Sequence, residues 1–284
     1  MLFCIASAVQ EKISDVERKI ITGEKDMIFN ITSSKNERFK YFKALKSKKS
    51  RMEYKKYTVE GIKSVSDALA ASRSIFALLL SESFSQSGVF EIDDSINTYI
   101  ISDEIFASLS STETPQGIIA VINMEEKNLV SDVNKAYIYC DRIQDPGNLG
   151  TIIRTADAAG FGGVLMSEDC VDLYNPKTVR SSMGSFFHTD VYEDISTENL
   201  KELREQGFSL VCGVLTDNTV EYTEADFKKP VIIIIGNEAN GICEEILKLS
   251  DINVKIPIDG KAESLNAAVA AAVIMYEVRR QRKL

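Results

Sequence analysis

Three segments of this chain place polar residues and glycines where an apolar strand gives way to a helix, the position at which open α/β sheets build sites. The first runs Asp141-Arg142-Ile143-Gln144-Asp145-Pro146-Gly147-Asn148-Leu149-Gly150-Thr151-Ile152-Ile153-Arg154 and offers an amide at Asn148 and a cation at Arg154. Leu149, Ile152, Ile153 and Ala156 recur at i, i+3, i+4 and i+7, so Arg154 is expected opposite the apolar face, where it meets ligand or water. In the second, Val231 to Ile235 breaks into Gly236-Asn237-Glu238-Ala239-Asn240-Gly241, with glycines that permit close ligand approach. The third is Ile256-Pro257-Ile258, followed by Ser264-Leu265-Asn266 and the apolar run Ala267 to Tyr276, with Ser264 expected as helix N-cap. Each segment alone also has a plain structural reading: Asn148 as a cap, Arg154 as a surface charge, and the glycine turn as a strand-to-helix connection.

The elements that must position these residues follow an α/β alternation. Strands are expected at 136–140, 164–166, 210–215, 231–235 and 254–258, with helices at 149–159, 198–206 and from Ser264 to about Arg280. Near-continuous apolar, β-branched strands alternating with helices imply a mostly parallel sheet covered on both faces. Ahead of the polar stretch 125–135, which reads as a linker, lies a smaller α/β region. It has a basic helix over 38–48, strands at 57–60, 75–80, 98–101 and 118–122, and helices at 62–71 and 104–109. Residues 1–26 form an amino-terminal extension.

Composition narrows the chemistry. The chain has 284 residues, 44% of them hydrophobic and 26% charged, enough for one large or two ordinary domains. Its longest unbroken apolar run is well short of the roughly twenty residues a membrane-spanning helix needs. Five cysteines without a C-x-x-C pair fit reduced thiols in a cytosol, and a single histidine, His188, leaves most metal and triad chemistries without parts. No metal site is expected. Ala6-Ser7-Ala8 matches the form of a signal-peptide cleavage site, but the apolar core is short, no Lys or Arg precedes it, and a charged, helix-like stretch follows. A cytoplasmic protein is expected, with Met27 a candidate native start.

The net charge of −9 is unevenly spread. Residues 35–63 hold eleven Lys/Arg against three Glu, a local charge of +8, interleaved with Tyr41, Phe42, Tyr54 and Tyr57. Such a mixture suits phosphate contact with base stacking, and equally an amphipathic helix whose aromatics are core.

Taken together and in order, the three segments resemble the SpoU (TrmH-like) branch of the SPOUT RNA methyltransferases. Asn148, Gly150 and Arg154 match the first family motif, Gly236, Glu238 and Gly241 the second, and Ile256, Pro257, Ser264, Leu265 and Asn266 the third. Arg180-Ser181-Ser182-Met183-Gly184-Ser185 is similar to a further family segment. The amino-terminal region resembles the family's small substrate-binding domain, with Val59-Glu60-Gly61 and Thr114-Pro115-Gln116-Gly117 as landmarks. Ile258 stands where Met is frequent, and Ala267-Ala268 replace the usual Val-Ser or Val-Ala.

The resemblance implies S-adenosylmethionine-dependent methylation of a ribose 2'-hydroxyl in structured RNA, ribosomal RNA first and transfer RNA second. It implies a homodimer with an RNA substrate-binding domain over 27–124 and a methyltransferase domain over 136–284, whose sheet carries a deep trefoil knot. That knot rests on the resemblance alone, because sequence patterning argues against knots. By the same resemblance Gly236, Ile256 and Leu265 contact the cofactor, and Asn148, Arg154, Glu238, Ser264 and Asn266 shape the active site. Arg38, Lys46, Lys48, Lys49 and Arg51 are the expected RNA contacts. A guanidinium stays protonated, which favours Arg154 as an electrostatic stabiliser over a general base. Two other readings compete. A non-catalytic RNA-binding or ribosome-assembly protein need not keep the polar set intact, and a dinucleotide oxidoreductase should show G-x-G-x-x-G, which is missing here.

Overall fold

The computed structural model describes residues 28–282 apart from 92, 94, 126 and 217. The extension 1–26, with Ala6-Ser7-Ala8 and its charged stretch, and Met27 lie outside the described residues. The chain divides into two compact units, one ending at Met124 and one beginning at Glu125.

The first unit opens with β1 (Ile28–Ile31), beyond the strands the sequence predicts. The basic stretch expected as one helix is two, α1 (Glu37–Ala44) and α2 (Lys48–Tyr54). Asn36 caps the first by accepting from the backbone N–H groups of Arg38 and Phe39, and Ser47 caps the second by accepting from Ser50, so the chain stops and restarts its helix at 45–47. There follow β2 (Lys56–Glu60), α3 (Ile62–Ala70), β3 (Ile75–Ser81), α4 (Glu82–Ser87), β4 (Thr98–Ile101), α5 (Asp103–Phe106) and β5 (Ile118–Asn123). The sheet order is β1-β4-β3-β5-β2, with β5 antiparallel to both its neighbours.

The two landmark turns of this unit meet each other. Gly61 has φ +95° and donates its N–H to the Ile118 carbonyl at 3.0 Å, while the Gln116 side chain accepts from the N–H of Ile62 at 2.8 Å. Gly117 has φ +84°, and a side chain there would place its Cβ 2.6 Å from that of Phe84. Glu60 binds the adjacent loop, accepting from the Ser110, Ser111 and Thr112 hydroxyls and from the Ser111 N–H.

The second unit comprises β6 (Ala136–Cys140), α6 (Pro146–Ala159), β7 (Gly163–Met166), α7 (Pro176–Ser181), a 3-10 turn at Ser185–Phe187, β8 (Val191–Tyr192), α8 (Thr197–Glu205), β9 (Ser209–Gly213), β10 (Val220–Glu221), β11 (Val231–Ile235), α9 (Glu244–Leu249), β12 (Ile252–Lys255) and α10 (Ala267–Arg282). Every strand pairing is parallel, in the order β10-β12-β9-β11-β6-β7-β8. The side chains of β6, β7 and β11 are all buried, as a sheet covered on both faces requires. Each aliphatic side chain so buried contributes about 1.5–3 kcal/mol.

Connections leave β6 and β11 in opposite directions across the sheet, toward β7 on one side and β12 on the other. The crevice at their carboxyl ends is thus a topological switch point, where such sheets bind ligands. The stretch expected as a linker is built into this unit: Lys127 pairs with Asp190 at 2.5 Å, Leu129 packs on the core cluster that contains Tyr139 and Phe208, and Ser131 bonds Gln206 at 2.7 Å.

Candidate active site

The second motif is a closed turn. After β11, Asn237 and Gly241 exchange backbone hydrogen bonds at 3.1 and 2.9 Å, and the Asn237 side-chain oxygen accepts from the N–H groups of Ala239 and Asn240. Gly236 sits where a Cβ would fall 2.3 Å from the Gly241 and Ile242 backbone, so no larger residue fits.

Glu238 projects from this turn to the first motif. Its carboxylate accepts from the backbone N–H of Gln144 at 3.3 Å, the N–H of Asp145 at 3.4 Å and the Asn148 side-chain amide at 2.8 Å. Burial pushes its pKa up, but these bonds and its own N–H outweigh that and hold the carboxyl below its usual value. The segment that receives Glu238 is itself fixed: Asp145 caps α6 by accepting from the Asn148 N–H, Pro146 occupies the first turn, and Lys177 pairs with Asp145 at 2.9 Å.

Asn148 completes the link to the third motif, since its side-chain oxygen accepts from the Asn266 amide at 2.9 Å. The cap expected at Ser264 lies at Asn266, whose Oδ1 accepts from the N–H groups of Ala268 and Val269 at 3.0 and 3.2 Å. α10 accordingly begins at Ala267. Asn266 leaves Ser264 on an exposed, non-helical segment, because an asparagine can cap with its oxygen and donate with its nitrogen at once.

A pocket of about 590 Å³ opens beside this junction. Gly236, Glu238, Ile256, Ser264, Leu265 and Asn266 all line it. Asn148 meets it only through Glu238 and Asn266. The sequence reading missed Gly213 to Thr216, at the carboxyl end of β9, which also lines the pocket; the available signal was the end of a central parallel strand. Apolar walls from Val214, Ile242, Ile256, Ile258 and Leu265, with a few amides, the hydroxyls of Thr216 and Ser264, the Lys255 ammonium and the Glu238 carboxylate, suit a nucleoside-sized ligand with an apolar body and polar ends.

Arg154 stands on α6 away from the buried face of Leu149, Ile152, Ile153 and Ala156; it is exposed and has no hydrogen bond or ion pair among the described residues. It does not line the pocket. His188 is exposed at the end of the 3-10 turn, also outside the pocket. The close approach of α6 and α7 explains Gly150, where a Cβ would lie 2.0 Å from the Ser181 hydroxyl and 2.4 Å from the Thr178 carbonyl oxygen.

The expected RNA contacts divide. Lys48 and Lys49 are exposed at the start of α2. Arg38 is half-buried, with its guanidinium over the Phe29 ring at 4.4 Å. Lys46 is exposed, but its ammonium binds the Ser108 and Ser110 carbonyls at 3.3 and 2.7 Å. Arg51 is a correction: it is only 3% exposed and donates to the Leu45 and Lys46 carbonyls, both at 2.9 Å, closing the break between α1 and α2. Tyr41 and Phe42 on α1 and Tyr57 on β2 are buried, so these aromatics are core residues and not a base-stacking surface.

This geometry has counterparts in known proteins. Residues 135–276 match the SpoU rRNA methylase family and residues 36–120 the MRM3-like substrate binding domain. The chain is 36% identical over 249 residues to the 23S rRNA (guanosine(2553)-2'-O)-methyltransferase RlmP of Bacillus subtilis, covering 88% of this chain and 98% of that protein. It is 31% identical to the 23S rRNA (uridine(2479)-2'-O)-methyltransferase of Streptomyces viridochromogenes, covering 92% of this chain and 95% of that one. Among solved structures, the AdoMet-bound rRNA methyltransferase from Sinorhizobium meliloti superposes with a TM-score of 0.80 at 31% identity, covering 89% of this chain and 98% of that one. The chain belongs to the SpoU rRNA methylase family.

Proposed function

We propose that this protein is an S-adenosylmethionine-dependent methyltransferase that modifies a ribose 2'-hydroxyl of 23S ribosomal RNA in the cytoplasm. The observation that carries the reading is the chain of hydrogen bonds Asn266 to Asn148 to Glu238, which joins the first polar motif to the two that line the pocket. The relatives that are ribosomal RNA 2'-O-methyltransferases support the substrate class.

Bound in the pocket, S-adenosylmethionine supplies an electrophilic methyl group. The chain's residues align and shield it. Gly236, Ile256 and Leu265 bring backbone groups and apolar surface close, and water is excluded by the aliphatic walls. Glu238 and Asn266 hold the turn and the helix start in register, with Ser264 on the rim. Arg154 offers its guanidinium to an RNA phosphate and stabilises negative charge developing on the ribose oxygen.

Two architectural features belong to the same reading. The carboxyl-terminal segment follows the family's deep trefoil knot, and the protein works as a homodimer. Support for the second comes from α10, where Val269 and Tyr276 are each 49% exposed and, with half-buried Ala272 and Val273, form an apolar stripe suited to a second copy.

The test is transfer of labelled methyl from S-adenosylmethionine to unmodified 23S ribosomal RNA, with the product mapped for 2'-O-methylation. One new 2'-O-methyl nucleotide is expected. Methylation of transfer RNA alone, or of neither RNA, would overturn the assignment.

A further inference from the structure

Asp141 and Arg142 follow β6 directly, and neither lines the pocket. The Asp141 carboxylate is only 2% exposed, and both its oxygens are engaged: one accepts from Arg142 Nε at 3.0 Å, the other from Arg142 Nη2 at 3.1 Å and from the Cys243 N–H at 2.7 Å. A buried carboxylate left without partners would be costly, so this set of bonds is strongly coupled.

Arg142 is held in an unusual pose to make them. Its φ is +55°, a left-handed conformation uncommon outside glycine, and its N–H is taken by the Ser167 hydroxyl at 2.9 Å. The pose turns the guanidinium back over Asp141 and on to the Gly241 carbonyl at 3.2 Å, while the Arg142 carbonyl accepts from the Asn237 side-chain amide at 2.8 Å. Two neighbouring residues thus grip the glycine turn at both ends of its neck, Asn237 and Gly241, and at the first residue beyond it, Cys243. Glu238 secures the tip of the same turn.

We infer that the Asp141–Arg142 pair is a positioning device for the cofactor: it presets the turn 236–242 so that Gly236 and Asn237 face the pocket before ligand arrives. The inference rests on the methyltransferase reading, and it makes Asp141 and Arg142 determinants of cofactor affinity without contact to the cofactor.

The experiment uses the full chain, with calorimetric titration of S-adenosylmethionine and steady-state methyl transfer on the wild type, Arg142→Ala and Arg142→Lys. Arg142→Ala is expected to raise both the cofactor dissociation constant and its KM about tenfold, with kcat at saturating cofactor within about threefold of wild type, as for loss of a supporting contact. Arg142→Lys, which keeps the charge but not the forked geometry, should fall between the two. An added Asp141→Asn change should cost little beyond Arg142→Ala alone, because the pair acts as a unit. A merely structural role would lower kcat through loss of active protein and leave KM unchanged, and that result overturns the inference, as does wild-type affinity in Arg142→Ala. Should Arg142→Ala fail to fold, the KM and kcat of Arg142→Lys decide by the same criteria. A wild type that binds no cofactor removes the underlying reading and this inference with it.

Discussion

Asn266 donates its side-chain amide to the Asn148 side-chain oxygen across 2.9 Å, although 118 residues separate them in the chain. The same Asn266 caps α10 with its oxygen. The two tasks can be separated by substitution. Asn266→Ser keeps a capping oxygen and removes the donor to Asn148, so the thermal midpoint should stay near wild type while methyl transfer falls at least tenfold. Asn266→Ala removes both and should in addition cost about 1 kcal/mol of stability. Equal activity in Asn266→Ser and wild type would show that the bond to Asn148 has no part in turnover.

Glu238 makes the site acid-sensitive in a defined direction. Its folded-state pKa is depressed by the hydrogen bonds it accepts, so the stabilisation it gives is full above the ordinary glutamate value of about 4.3 and is lost as pH falls through the depressed folded value. Glu238→Gln turns one acceptor oxygen into a donor facing N–H groups. The stability gap between wild type and Glu238→Gln should therefore be wide at neutral pH and close as the medium is acidified below that range, which thermal melts at stepped pH will measure.

The fold was legible where local pattern and tertiary role agree. The all-aliphatic Val231–Ile235 reads as a buried strand because its five residues are all β-branched and stand between Pro230 and Gly236, and Asp145-Pro146 reads as a helix start because cap and ring fix the first turn. Patterning failed where one residue serves two partners. Ser264 is a good cap in isolation, yet Asn266 caps because it must also reach Asn148. Arg51 reads as one more exposed cation of the basic segment 35–63, but the break at 45–47 turns its side chain onto orphan carbonyls. β8, β10, α7 and α9 are too short for periodicity to register. The joint occurrence of three motifs marked the segments that meet at the pocket; the grip of Asp141 and Arg142 on the turn 236–242 depends on a positive φ that no composition reveals.

Arg154 and His188 are both exposed, but only the arginine is expected to take part in turnover. Arg154→Ala should abolish methyl transfer, a loss of about 10²-fold or more as for removal of a transition-state donor, with the fold and cofactor affinity retained. His188→Ala should leave kcat within about twofold. The reverse pattern in a paired turnover assay would move the chemistry to the histidine.

In the amino-terminal unit, cations of different burial should fail in different ways. Replacing the exposed Lys48 and Lys49 with glutamine should weaken binding to ribosomal RNA, flatten its salt dependence and leave cofactor affinity unchanged. Arg51→Ala should instead destabilise the unit by about 1–3 kcal/mol, since two carbonyls lose their donor. Filter binding at stepped salt and thermal melts separate the two effects.

The most direct test is a calorimetric titration of the purified chain with S-adenosylmethionine, wild type beside Leu265→Pro, after circular dichroism has shown both folded. Leu265 lines the pocket, and proline there removes a backbone N–H without touching the sheet. Saturable binding at one site per chain is expected in the wild type, and its loss in the variant. No wild-type binding at millimolar cofactor, or equal binding by both proteins, would contradict the placement of the cofactor at this junction.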